Sequence, residues 1–205
     1  MTTIAPLFRK HRGQTATIVG MGPSLLRLRA RDFPPGPVIT LNHAILTVRS
    51  LHLPNPLYVM QKDGCMPHNG QADVPLSCAC PSDRLVPLLR GETAIFSAAE
   101  SPDCYPNHRP RFVIDVEGDF GLPWSSMSAP VAALLADWMG CTSILMVGHD
   151  AYTRNDYRRA APNGGSNRGY RHASVQAKYY AEKHGVAIRW YDPPHTWHGG
   201  RVMNR

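Results

Sequence analysis

A helix followed by a buried strand occupies residues 128–150, and this stretch constrains the fold more than any other. Apolar side chains recur there at helical spacing and form one stripe, at Val131, Leu134, Leu135, Trp138 and Met139. Ser128 is placed to cap this helix and Gly140 to end it. Residues 144–147 form a continuous apolar run, which is typical of a strand buried on both faces. The stretch therefore predicts a helix–strand unit of a parallel α/β sheet.

Short apolar strands lie on both sides of this unit, and most end at glycine or polar residues. They are predicted at residues 15–19, 37–41, 56–60, 93–96, 111–114 and 186–190. One helical stretch is predicted after Asn42 and His43, to about residue 50, and another over residues 172–184. Residues 118–128 are predicted to be a glycine- and proline-rich approach to the central helix. The whole pattern predicts a single α/β domain over residues 1–205, with a Rossmann-like, doubly wound, mostly parallel sheet flanked by helices.

Two segments without an apolar period are predicted to be loop insertions, at residues 64–92 and 151–171. The second is long, polar and basic, as expected of a lid over a site. The first contains a set of metal-ligand residue types, at Cys65, His68, Cys78 and Cys80. These residues fit either a zinc site or free thiols, and their short spacing favours free thiols.

The balance of charges is basic, with 22 Lys and Arg against 15 Asp and Glu, for a net charge of +7. Arginine dominates, either through a genome-wide bias or because it contacts phosphate or carboxylate groups. The five cysteines and an N-terminus without an apolar signal region lead us to expect a cytoplasmic protein. Since no run of about eighteen apolar residues exists, no membrane span is expected.

Candidate binding residues follow the first two strands. Residues 20–25 read GMGPSL, which predicts a glycine turn leading into a helix, with Ser24 near its N-cap. Such a turn brings backbone N–H groups close to a phosphate, although an ordinary strand-to-helix turn has the same pattern. Asn42 follows the second strand, where an asparagine contacts a base or ribose or caps the next helix.

Gly148, His149 and Asp150 follow the buried strand of residues 144–147. In open α/β sheets, ligands bind at the carboxyl ends of the strands, and the carboxylate emerges at that end. His149 and Asp150 therefore fit a binding role, and they equally fit a structural one in which the aspartate caps a turn.

Taken in order, these motifs resemble the Rossmann-like bacterial sialyltransferases that build lipooligosaccharide termini, and the related MptE-like proteins of the DUF115 type. The resemblance includes the GxGPSL turn, Asn42, and the pattern S-x11-G-x3-I-x3-G-x-D from Ser128 to Asp150. The resemblance also includes Tyr152 and Tyr157, which follow that aspartate, and His172, which opens the last helix. The length of the chain suggests a short phage or bacterial relative of these families.

The resemblance implies a nucleotide-sugar-dependent, metal-independent glycosyltransferase that moves a sugar from a CMP-type donor to a hydroxyl of a glycan or another acceptor. It assigns donor binding to Gly20, Gly22, Pro23, Ser24, Asn42, Ser128, Gly148 and Asp150. Tyr152 and Tyr157 would hydrogen-bond the leaving phosphate, and His172 would be the general base. Arg154 belongs to the basic segment that we expect to close over the phosphate.

Two alternatives stay open at this stage. An MptE-like diphosphotransferase would need ATP and Mg²⁺, and hence a carboxylate cluster such as Asp63 with Asp150. A non-catalytic protein that keeps the fold would bind nucleotide, or would bind DNA through the arginine-rich segment, with an affinity that falls steeply with salt.

Overall fold

The protein's fold is built on one parallel sheet, seen in a computed structural model that describes residues 3–61, 93–97, 112–123, 128–149 and 167–191. The strands are β1 (Thr15–Val19), β2 (Val38–Leu41), β3 (Leu57–Gln61), β4 (Thr93–Ser97), β5 (Phe112–Ile114), β6 (Ser143–Val147) and β7 (Ala187–Trp190). They lie in the order β5-β4-β3-β2-β1-β6-β7, and every neighbouring pair is parallel. The predicted Rossmann-like α/β class is confirmed.

Helices cover both faces of the sheet, as a doubly wound fold requires. The α-helices are α1 (Ala44–Arg49), α2 (Val116–Phe120), α3 (Ser128–Trp138) and α4 (Asn167–Lys183). Short 3-10 helices lie at Ala5–Leu7, Pro23–Arg27 and Ala30–Asp32. α3 and α4 pack on the face that contains Ile18 and Met146, whereas α1 and the 3-10 helix Pro23–Arg27 pack on the face that contains Val19 and Val147.

Helix α3 is buried on all sides, although the sequence predicted a single apolar stripe. Every residue from Ala129 to Ala136 is buried, because the alanines opposite the stripe face α4. α4 brings its own small side chains to this contact, at Ala173, Ala177 and Ala181. Alanines on both helices let the two backbones approach closely, so α3 becomes the centre of the core.

The N-terminal segment closes the amino edge of the sheet. Arg9, His11 and Gly13 donate backbone hydrogen bonds to the carbonyls of Trp138, Met139 and Gly140, which follow one another at the end of α3. His11 is buried, and its Nε2 lies 2.7 Å from the Tyr58 hydroxyl. Because these contacts cover the amino ends of the strands, the carboxyl ends form the edge at which a site can lie.

The chain after β1 forms a 3-10 helix with Gly22 at its N-cap, which agrees with the predicted helix and with Ser24 near its start. The local structure differs from the prediction in two other places. Residues 116–120 are helical, because Asp115 caps α2 by accepting a hydrogen bond from the Gly118 N–H at 3.0 Å. Helix α4 begins at Asn167, inside the predicted 151–171 loop, because a helix anchored by packing extends into polar sequence at little cost.

Candidate functional site

The candidate site is the carboxyl edge of the sheet where the strand order reverses. Successive strands run outward from β1 to β5 on one side, and β6 and β7 lie on the other, so the reversal falls between β1 and β6. Val19 is in register with Thr40 of β2 and Val147 of β6, which puts the ends of all three strands level. In open α/β sheets this reversal forms the crevice in which ligands bind.

The glycine turn after β1 is tied to the turn after β6. The Gly20 N–H donates to the Val147 carbonyl at 2.8 Å, and the Gly22 N–H donates to the Gly148 carbonyl at 2.7 Å. Gly20 also lies too close to Gly148 for either to carry a side chain. These glycines thus join the two turns that border the crevice, and two of the N–H groups expected to face a phosphate are engaged within the fold.

Asn42 lies at the same edge, directly after β2. Its backbone is left-handed, with φ of 54°, a conformation that asparagine tolerates better than most residues. The Asn42 N–H donates to the Met60 carbonyl at 3.0 Å, which fixes the residue against β3. The side-chain Oδ1 is buried and has no hydrogen-bond partner among the residues that the structure describes. A buried acceptor left in this state costs free energy, so it is a candidate contact for a ligand.

His149 is the residue that the structure adds most clearly to the site. Its Nε2 is buried directly beside the turn at Gly20 and has no hydrogen-bond partner in the part of the chain that the structure describes. Burial lowers the pKa of His149 to about 4, against a smaller opposing effect from a hydrogen bond to the Ile18 backbone. The imidazole is therefore neutral at pH 7. From the sequence, His149 fits a binding role and a structural role equally. Its burial depends on how closely the two turns approach each other, which the sequence does not show.

Helix ends bring two further predicted residues to this edge. α3 ends next to the amino end of β6, and α4 ends next to the amino end of β7, so both helices begin at the carboxyl edge. Ser128 is the first residue of α3, and His172 lies in the first two turns of α4. The backbone thus brings both residues to the end of the sheet that holds Gly20 and Asn42. The side chains of His172 and Pro23 lie outside the described part of the structure.

No family model, no curated protein and no solved structure matches this chain. Its functional assignment therefore depends on its own geometry and on the motifs in its sequence. Other predicted site residues lie outside the described ranges, namely Asp63, Asp150, Tyr152, Arg154 and Tyr157. The zinc candidates Cys65, His68, Cys78 and Cys80 lie outside them as well.

Within the described residues, no three His, Cys, Asp or Glu side chains come together in a way that would hold a metal ion. The helices in those ranges also lack the combined length and apolar character needed to cross a membrane.

The one cysteine among the described residues, Cys141, is buried, and burial raises the pKa of its thiol to about 12. Cys141 is therefore a packing residue and not a nucleophile at neutral pH.

Proposed function

We propose that this chain binds a nucleotide at the crevice between the turns after β1 and β6 and transfers a sugar from a nucleotide-sugar donor, without a metal ion, to an acceptor hydroxyl. The strand order carries the proposal, because it puts the reversal of the sheet between two glycine turns. Asn42 Oδ1 and His149 Nε2 support it as buried polar atoms without a hydrogen-bond partner within the described ranges. The choice of glycosyl transfer rests on the resemblance of the motifs.

The reaction needs two things that residues at this edge can supply. When a glycosyl bond to phosphate breaks, negative charge builds on the leaving phosphate, so hydrogen-bond donors aimed at it lower the barrier. The N-terminal end of α3, with Ser128, adds the positive end of a helix dipole there. The attacking acceptor hydroxyl must lose a proton, and we assign that step to His172 on α4, a general base worth about 10²–10⁴-fold.

The residues assigned to the leaving group complete the proposal. Tyr152 and Tyr157 would donate hydrogen bonds to the departing phosphate, the role that Mg²⁺ has in metal-dependent transferases. Arg154 would neutralise part of its charge. The donor is proposed to be a CMP-type nucleotide sugar and the acceptor a hydroxyl of a glycan or a similar molecule.

The test is release of nucleotide from a panel of nucleotide sugars in the presence of EDTA. His172→Ala is expected to lower the rate by about 10²-fold or more, because it removes the base. His184→Ala is the matched control, since His184 lies just past the other end of α4 and pairs with Asp137 at 2.8 Å. Equal rates in the two variants would overturn the assignment of the base. Turnover only with ATP and Mg²⁺ would favour the diphosphotransferase instead.

A further inference from the structure

Two polar atoms at the crevice have no hydrogen-bond partner in the described part of the chain, and their chemistry limits what can face them. Asn42 Oδ1 follows β2 and His149 Nε2 follows β6, so the two residues flank β1 on either side. Neighbouring strands lie about 4.8 Å apart, which separates the ends of β2 and β6 by about 10 Å. Both atoms are buried, so a missing partner is costly at each.

The tautomer of His149 decides whether Nε2 donates or accepts a hydrogen bond. Burial lowers the pKa of His149, so the ring is neutral, and the nearby Ile18 backbone opposes that shift as an acceptor close to the ring would. Because Nε2 has no hydrogen-bond partner among the described residues, we assign the ring proton to Nδ1. The neutral ring carries one proton, which leaves a lone pair on Nε2. His149 thus offers an acceptor at the crevice.

The position of this lone pair is fixed by the glycine turn. A Cβ added to Gly20 would lie 3.1 Å from both Cε1 and Nε2 of His149, so the edge of the ring stands against the bare Cα of Gly20. The Gly20 turn therefore covers one side of this edge of the ring. A nucleotide bound beside the turn after β1 would lie next to Nε2.

We propose that His149 Nε2 and Asn42 Oδ1 accept hydrogen bonds from the nucleoside part of the ligand, from ribose hydroxyls or an exocyclic amine of the base, and not from its phosphate. This inference rests on the proposed nucleotide site. An ionised phosphate presents only acceptor oxygens, and two acceptors that face each other leave both unsatisfied. Ribose hydroxyls and base amines present the N–H and O–H donors that these two atoms lack.

The location of the phosphate follows from this assignment. It lies away from the Gly20–His149 contact and towards the N-terminal ends of α3 and α4, where helix N–H groups and dipoles favour an anion. The glycine turn then has a packing role, since the N–H groups of Gly20 and Gly22 already bond to β6 and its turn. The crevice would select its ligand by the sugar and base rather than by charge alone.

The test is a double-mutant cycle in which the ligand is the second partner, measured by isothermal titration calorimetry in EDTA. The protein variants are wild type, His149→Phe, which removes the acceptor, and His149→Gln, whose amide oxygen replaces it. The ligands are CMP, 2′,3′-dideoxy-CMP, UMP and inorganic phosphate. For ribose recognition by His149, loss of the hydroxyls should weaken wild-type binding about tenfold more than it weakens binding to His149→Phe. For recognition of the base amine, UMP, which lacks that amine, should show this difference between the two proteins, and the dideoxy analogue should not. His149→Gln should stay within about threefold of wild type.

The outcomes separate this inference from the proposed function. If His149→Phe binds CMP as tightly as wild type, or phosphate alone binds wild type as tightly as CMP does, the inference is overturned and the nucleotide site stands. If no nucleotide binds wild type, both are overturned. Nitrogen-15 spectra of the free protein give an independent check, because they should show the proton of His149 on Nδ1 at pH 7. A proton on Nε2 would overturn the inference without any ligand.

Discussion

Gly20 and Gly148 lie back to back at the point where the strand order reverses, with no room between them for a methyl group. A Cβ on Gly20 would lie 2.5 Å from the Gly148 carbonyl oxygen, and a Cβ on Gly148 would lie 2.4 Å from the Gly20 carbonyl oxygen. Both obstacles are backbone atoms, so the turns must separate to relieve the clash. The two turns that border the crevice are thus held together by the absence of side chains.

Gly148→Ala should therefore destabilise the fold by about 3 kcal/mol or more, from the clash together with the left-handed backbone at φ of 66°. Gly121→Ala is the control, since Gly121 has nearly the same φ of 63° but nothing within 4 Å of an added Cβ. Its cost should be about 1–2 kcal/mol, from the backbone alone. Urea denaturation of both variants measures the difference, and equal losses would show that the turns are not in close contact.

The partly buried His149 ring, whose Nε2 is covered from solvent, should make the fold sensitive to acid. Its pKa falls from 6.5 in the unfolded chain to about 4 in the folded protein, so the unfolded state takes up the proton first. The stabilising contribution is complete above pH 6.5 and is lost between pH 6.5 and 4, with about 2 kcal/mol lost at pH 5. Denaturation of wild type and His149→Gln at pH 7 and pH 5 checks this. The acid loss should be smaller in the variant by about that amount, and a parallel loss in both would contradict it.

Tyr58→Phe should cost about 1–2 kcal/mol, because it leaves His11 Nε2 buried without the hydroxyl that lies 2.7 Å away. Tyr179→Phe provides a control, since Tyr179 is 58% exposed and its loss should change the free energy of unfolding by less than about 0.5 kcal/mol. Chemical denaturation at pH 7 gives both values. A Tyr58→Phe variant as stable as the Tyr179→Phe control would show that this contact does not stabilise the amino edge.

The contact between α3 and α4 should reject larger side chains. Ala177 is fully buried within it, so Ala177→Leu is expected to cost about 1–3 kcal/mol through overpacking. Val175→Leu, at a position on the same helix that is 48% exposed, should have little effect. The midpoint of thermal unfolding compares the two variants. A neutral Ala177→Leu would mean that the helices are farther apart than the structure shows.

The fold could be predicted from the sequence because its strongest signals are local. The apolar runs at residues 15–19 and 144–147 form central strands, with boundaries that agree to within one residue. The errors arose where tertiary packing decides the local structure. The start of α4 at Asn167 depends on how the rest of that helix packs, and the sequence there is polar. The helix at Val116–Phe120 had a usable signal, since Asp115 caps its start and Gly121 ends it.

The site could be predicted only in part, because its chemistry depends on contacts between distant segments. Motif order placed Gly20, Asn42 and Gly148 at strand ends, and the structure brings them to one edge. The burial of His149 Nε2 could not be predicted, because it arises from the Gly20 turn about 130 residues earlier in the chain. Engagement of the Gly22 N–H by the Gly148 carbonyl is a contact of the same long-range kind.

The most direct test of the nucleotide site is calorimetric titration of wild type and Asn42→Gly with CMP, CDP, UDP, GDP, ADP and ATP in EDTA. Glycine removes the Asn42 side chain and accepts its left-handed φ of 54°, so the variant tests the contact rather than backbone strain. The account predicts that one nucleoside mono- or diphosphate binds wild type without metal and binds Asn42→Gly about tenfold more weakly. Absence of binding, or equal binding by both proteins, would contradict a nucleotide site at this edge of the sheet.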